Sequence, residues 1–252
     1  MTGDQYLYGI LARETVDAGP NSPVRTTQAV LAPLIREWAG DKLLTIHPSG
    51  SFLKGTANRS GTDIDLFISL SESTTETLKE IHDKLFARLT ERGYAPTRQN
   101  VSLNVKVLGY SVDLVPAKRQ NASSHDHSLY VRKAGTWQKT NVLRHIAAVR
   151  SANRLPEVRV LKLWRNQKRL DLPSFYLELV VARALTGRPT ILAENVSLVF
   201  DYLRDSFVAA RFVDPANTNN VLSDELTFAE KQKISAAAKV ARDTTYWKDI
   251  VQ

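Results

Sequence analysis

Gly50-Ser51-Phe52-Leu53-Lys54-Gly55-Thr56-Ala57-Asn58-Arg59-Ser60-Gly61-Thr62-Asp63-Ile64-Asp65-Leu66-Phe67-Ile68 is the stretch whose reading decides the fold. A small-residue turn at Gly50-Ser51 is followed, twelve positions after Ser51, by Asp63 and Asp65 at the head of an apolar run. In a strand alternate side chains share a face, so these two carboxylates point the same way, about 7 Å apart at Cα, while Ile64 and Leu66 point into a core. Two carboxylates on one face repel unless a cation lies between them, and hard divalent cations take such oxygen ligands. The Gly-Ser turn offers backbone N–H groups and a hydroxyl, which suits a phosphate. A metal-bound polyphosphate satisfies both halves.

A third carboxylate follows. Residues 101–108 alternate apolar and polar, Gly109-Tyr110 makes a tight turn, and residues 110–116 read as the next strand. Val112 and Leu114 then face the core and leave Asp113 on the opposite face. If this strand lies beside the one bearing Asp63 and Asp65, three carboxylates converge and could hold two metals about 3.5–4 Å apart, as in-line phosphoryl-transfer enzymes do.

These positions resemble the DNA polymerase beta-like nucleotidyltransferases, whose pattern is Gly-Ser, a spacer of about ten residues, Asp-x-Asp and a later single Asp in a strand. Within that superfamily the stretch 50–68 and Val112-Asp113-Leu114-Val115-Pro116 look most like three groups. They are the cGAS/DncV-like (CD-NTase) cyclic-oligonucleotide synthases, the oligoadenylate synthetases and the class I CCA-adding enzymes. The resemblance implies catalytic, metal-holding roles for Asp63, Asp65 and Asp113, and nucleotide contacts for Gly50 and Ser51. Downstream, Val160-Leu161-Lys162-Leu163-Trp164 is similar to the helix whose lysine binds the triphosphate. Leu172-Pro173-Ser174-Phe175 is similar to the next helix start, where the resemblance gives Ser174 a triphosphate contact and Phe175 a stacking contact with the base. Residues 214–220 are similar to a loop near the end of these enzymes, so the matches run over about residues 45–220.

Each motif also has a plainer explanation. An Asp-x-Asp pair alone is ordinarily a solvated strand end; the Gly-Ser turn, the spacing and Asp113 together favour catalysis. Lys162 by itself reads equally as an exposed helix lysine. Ser174 follows Pro173 and opens an apolar helical stretch, so it also reads as an N-cap, a role compatible with phosphate binding at a helix N-terminus. Trp164 and Tyr176 read as packing residues, and Lys54, Asn58 and Arg59 as a solvated loop. His125-Asp126-His127 lacks the further ligands a metal site needs and sits in a polar loop. A Walker-type phosphate loop and a Ser-His-Asp pattern are both missing from the sequence.

The chain has 252 residues, 43% hydrophobic, enough for one large domain or two lobes. It has no cysteine, which excludes disulfides and cysteine-based zinc and fits a cytoplasmic location. No apolar run reaches membrane-spanning length, and the start lacks the order of a secretory signal. The net charge is +8, and residues 131–170 concentrate it. That stretch carries Arg132, Lys133, Lys139, Arg144, Arg150, Arg154, Arg159, Lys162, Arg165, Lys168 and Arg169 against one acid, Glu157. The field attracts polyphosphates or nucleic acid, although a solvated helical face explains many such runs.

Hydrophobic periodicity predicts a helix over 24–39, strands over 43–47, 63–70, 100–108 and 110–116, and a helix from a Ser73 or Thr74 cap to about Arg92. Further helices are predicted over 140–152, 157–170, 174–186, 191–210 and 226–243. Strands first and helices afterwards give an α+β, two-lobed architecture. A mixed-sheet catalytic lobe with flanking helices is expected over residues 1–137, and a helical nucleotide-binding lobe over 138–252.

The functional expectation is a metal-dependent nucleotidyltransferase that uses nucleoside triphosphates with two Mg²⁺ ions (or Mn²⁺) and releases pyrophosphate. The favoured acceptor is a second nucleotide, which makes a cyclic or linear oligonucleotide messenger of antiviral defence. The brevity of the chain after the 214–220 loop favours this over the alternative, terminal addition to RNA such as tRNA. A third expectation is a silent nucleotide-binding module. Base preference and protein partner are not legible.

Overall fold

The alternation read over 63–70 is realised as a central strand. The computed structural model describes residues 1–61 and 63–252, and they form two compact units. The sheet unit comprises Asp17–Leu53 and Asp63–Arg144; the helical unit comprises Met1–Val16, Lys54–Thr62 and His145–Gln252. The single boundary expected near 137/138 is thus not how the chain divides. The first helix and residues 54–62 group with the C-terminal helices, and residues 138–144 with the sheet.

In the sheet unit the strands are β1 (Leu43–Pro48), β2 (Ile64–Leu70), β3 (Thr97–Arg98), β4 (Leu103–Val107), β5 (Tyr110–Arg119), β6 (His127–Val131) and β7 (Thr136–Thr140). Their order is β1-β2-β5-β4-β3, and β6 joins β5 and carries β7. β2 and β5 are parallel and the other pairs antiparallel, so the sheet is mixed. Leu108 (φ +52°) and Gly109 (φ +83°) turn β4 into β5, the doubly left-handed geometry that a two-residue hairpin needs.

Helices α2 (Pro23–Ala39) and α4 (Leu78–Glu91) cover one face. There Leu31, Ile35, Leu85 and Leu89 pack with Ile64, Leu66, Ile68, Val105, Val112 and Leu114. Helix α4 begins later than the Ser73 or Thr74 cap predicted. Thr77 and Glu80 form a reciprocal capping box that satisfies the helix start there. The opposite face carries Phe67, Ala117 and Leu129, and it leaves the upstream ends of β2 and β5 for polar side chains.

The helical unit assembles α1 (Gly3–Arg13), α6 (Leu155–Gln167), α7 (Ser174–Ala184), α8 (Leu192–Asp205), α9 (Phe228–Asp243) and α10 (Trp247–Ile250). Helix α5 (Val142–Ser151) bridges residues of both units along the chain. The core of the helical unit is aromatic: Trp164, Tyr176, Phe200, Phe207 and Phe212 are almost fully buried. Trp164 and Tyr176 are therefore packing residues. Helix α1 joins this core through Leu7, Ile10 and Leu11, which is why it leaves the sheet unit. No helix of the described residues is long and apolar enough to cross a membrane.

Candidate active site

Register places the central pair. On the parallel strands β2 and β5, Asp65 stands opposite Asp113, one strand spacing of about 4.8 Å away. On the other side of β5, Asn104 of β4 stands opposite Asp113. The three side chains form a row on the face away from Leu66, Leu114 and Leu103. Asn104 Nδ2 donates to Asp113 Oδ1 at 2.8 Å and to Ser111 Oγ at 2.8 Å, which fixes one carboxylate oxygen and leaves the other for a ligand. Burial pushes the Asp113 carboxyl above its ordinary range; the Asn104 hydrogen bond opposes this and the charge of Asp63 adds to it. Asp63, exposed at the mouth of β2, is thus electrostatically coupled to Asp113. Asn104 was not singled out in the sequence, although counting back from the Gly109 turn in the 101–108 alternation puts it opposite Asp113.

Gly50 begins α3 (Gly50–Lys54) at φ +54°. A β-carbon there would fall 1.7 Å from Asp65 Oδ2, so only glycine lets the turn approach the carboxylate. Backbone reinforces the contact: Ser49 N–H donates to Asp65 O at 2.8 Å. Ser51 lies half-buried one residue further along the same short helix.

A divalent cation was expected here. Asp65 and Asp113 on one sheet face, with Asp63 just upstream of β2, are the oxygen donors that Mg²⁺ or Mn²⁺ takes, and the raised Asp113 carboxyl is the strain a cation would relieve. In kind, the donors fit. As placed, however, no three His, Cys, Asp or Glu side chains among the described residues are gathered closely enough to hold a metal.

The helical unit gives Lys162 a different setting from either sequence reading. It is 5% exposed, and its Nζ donates to Glu178 Oε1 at 2.6 Å, Thr56 Oγ1 at 2.8 Å and Thr56 O at 3.3 Å. Three acceptors use all three hydrogens of an ammonium, so no donor remains for a triphosphate. Glu178 also receives Lys54 Nζ at 2.5 Å and Thr56 Oγ1 at 2.6 Å. Burial drags Lys162 down to about 8 against the attraction of Glu178, with Lys54 adding repulsion. Burial pushes Glu178 up, but two lysines outweigh it and hold the carboxyl below its ordinary range. Two cations share one anion.

Ser174 is the first residue of α7; Pro173 occupies the cap position and no side chain caps it. The Ser174 hydroxyl instead accepts from Arg165 Nη1 at 3.0 Å, so its own hydrogen is left to point elsewhere. Arg165 is a cation beside Ser174 that the sequence reading did not single out. Phe175 is half-buried, with the His145 ring 4.4 Å away and Lys54 Nζ 4.9 Å from its centroid.

Much of the basic stretch is spent internally. Arg159 donates to Asn58, Leu11 O and Glu14 O, and Arg154 to Glu157 and three carbonyls. With Lys162 and Arg165 these account for four of the eleven. Asn58, read as part of a solvated loop, is 5% exposed for the same reason. The His125-Asp126-His127 side chains separate: His125 is exposed, Asp126 accepts from Asn141, and buried His127 meets Ser69.

Residues 35–132 match the family described as Nucleotidyltransferase domain. The cyclic AMP-AMP-AMP synthase of Escherichia coli (strain MS 115-1) is 26% identical over 202 residues, 70% of this chain and 63% of that protein. The chain thus matches less than two thirds of that relative's length. The structure of E. coli MS115-1 CdnC with ATP superposes with a TM-score of 0.76 at 21% identity, covering 96% of this chain and 91% of that one. The Cid1 poly(U) polymerase with Mg and 3'-dATP gives 0.66 at 11% identity over 97% and 95%. These two likenesses establish the fold.

Proposed function

We propose, from the match of residues 35–132 to the nucleotidyltransferase domain, an enzyme that joins nucleotides: a hydroxyl attacks the α-phosphorus of a nucleoside triphosphate and pyrophosphate leaves. The observation that carries this is the register of Asp65 with Asp113 under the Gly50 turn. A pure binding module gains nothing from setting Asp65 opposite Asp113 at the cost of raising one of them.

Asp63, Asp65 and Asp113 would hold Mg²⁺ or Mn²⁺. Such ions, when bound, lower the pKa of the attacking hydroxyl and neutralise charge on the phosphates. The chain's own groups do the rest. Asn104 fixes the orientation of Asp113. Gly50 keeps the turn against Asp65, so that Ser51 and its backbone N–H meet phosphate oxygens. Ser174 has its oxygen engaged by Arg165 and so presents its hydrogen to a phosphate oxygen. Phe175 offers its ring to the base.

The favoured acceptor is a second nucleotide, giving a cyclic or linear oligonucleotide, as the name of the E. coli relative suggests, with a signalling role in antiviral defence. Incubation with radiolabelled nucleoside triphosphates and Mg²⁺ or Mn²⁺, without RNA, is expected to give small phosphatase-resistant products. The second reading is terminal addition to RNA, favoured by the basic excess of residues 131–170 and by the likeness to the poly(U) polymerase. Label appearing on RNA, and only when RNA is supplied, would establish that reading instead.

A further inference from the structure

Asp214, 2% exposed in the loop that follows residues 207–209, accepts from Ala216 N–H at 2.8 Å, Asn220 Nδ2 at 3.2 Å and His145 Nε2 at 2.8 Å. Burial pushes its carboxyl up, but the hydrogen bonds it accepts from His145, Ala216 and Asn220 outweigh this and keep it below the ordinary range. An ionised carboxylate can only accept, so the imidazole hydrogen facing it sits on Nε2. The other nitrogen, Nδ1, has no hydrogen-bond partner among the described residues. Nor is it among their buried unpaired atoms, so it reaches solvent; the side chain is 21% exposed. One flank of the ring is backed by Phe175, centroids 4.4 Å apart and planes tilted by 43°. Helix α5, helix α7 and the Asp214 loop therefore set a histidine of defined tautomer beside the aromatic assigned to the base.

We propose that His145 is a base-reading residue: its Nδ1 is a hydrogen-bond acceptor that takes the amino group of adenine or cytosine. The oxo group of hypoxanthine or uracil at the equivalent position would confront one acceptor with another. A site built around one hydrogen bond discriminates because the mismatched ligand leaves polar groups unpaired. Asp214 is the positioning residue, since it decides which nitrogen bears the hydrogen. The proposal rests on the nucleotide-binding reading above and adds to it a base preference and its source.

The test is calorimetric titration at pH 8 of the full chain with non-reacting analogues of ATP, of inosine triphosphate and of purine riboside triphosphate, which lacks the amino group. The wild type is expected to favour the ATP analogue about tenfold over the purine riboside analogue, and His145→Leu to bind the two within about twofold of each other. Asp214→Asn, whose amide can donate to Nε2 and return the ring hydrogen to Nδ1, is expected to lose the preference and gain affinity for the inosine analogue. Equal wild-type affinities overturn the proposal without any variant, as does a ratio that survives in His145→Leu. A chain that binds none of the three overturns the nucleotide reading itself, a different result from binding without discrimination.

Discussion

Gly50 and Asp65 are in such close apposition that the smallest side chain at position 50 would overlap the carboxylate, at 1.7 Å from Oδ2. The φ of +54° disfavours an L side chain independently. Gly50→Ala therefore strains the backbone by about 1 kcal/mol or more and displaces Asp65. Displacement on the scale of an ångström is expected to lower nucleotide incorporation about 100-fold. Incorporation assays and thermal unfolding read the two effects separately, and wild-type turnover in this variant would remove Asp65 from the mechanism.

Asp113 carries a carboxylate that the fold disfavours. Its folded pKa lies above the ordinary 3.8, so the penalty is absent at lower pH and complete once pH has risen past the raised value. At pH 7 Asp113→Asn is accordingly expected to be at least as stable as the wild type while losing about 10³-fold or more of its activity. Saturating Mg²⁺ is expected to raise the melting temperature of the wild type by a few degrees and to do less for the variant. A variant that melts well below the wild type would mean that Asp113 is a structural residue.

The pairing of Asp65 with Asp113 was legible because a strand has a period of two, and one correct phase at Ile64 and Val112 fixes the face of every neighbour within the strands; Asp63, just upstream of β2, lies outside that rule. The Gly109 turn supplied the register of β4 on β5. Lys162 was not legible in the same way. Its partners are Glu178, sixteen residues away, and Thr56, 106 residues away, and no local pattern announces a contact of that span. Helix α1 was missed although Thr2 and Gln5 form a capping box at its start, a signal present in the sequence. The β6–β7 hairpin escaped because β7 carries a single apolar side chain, and that one, Trp137, is turned outward at 55% exposure.

Glu178 holds two buried ammonium groups, so the two ends of the network are unequal. Glu178→Gln leaves Lys54 and Lys162 without an anion and is expected to cost about 3–5 kcal/mol. Lys162→Met leaves a balanced Lys54–Glu178 pair and is expected to cost less. Because the folded pKa of Lys162 is about 8 against an ordinary 10.5, the unfolded chain binds the extra proton between those values. Wild-type stability then gains a favourable contribution as pH rises through that window, and Lys162→Met lacks it. Denaturant titrations of the three proteins at pH 7.5 and 9.5 give both comparisons; equal costs for the two variants would contradict the charge count.

His82 and His127 make the sheet unit sensitive to acid. Both are buried, at 0% and 7% exposure, and burial is the main cause that pulls each below the ordinary 6.5. His127 Nδ1 donates to His125 O at 2.9 Å, so its Nε2 must accept the Ser69 hydroxyl hydrogen, at 2.7 Å. Protonation would place a second donor against that hydroxyl and a charge beside Phe67, whose ring centroid lies 5.0 Å from that of His127. With folded values below unfolded ones, the unfolded state takes up protons first. Stability is intact above about 6.5 and declines as pH falls toward the depressed values, by up to about 1.4 kcal/mol per pH unit for each histidine. His127→Gln, which keeps a hydrogen-bonding group facing Ser69, is expected to flatten the decline between pH 7 and 5, with the remaining slope owed to His82. An unchanged slope in that variant would assign the acid sensitivity to other groups.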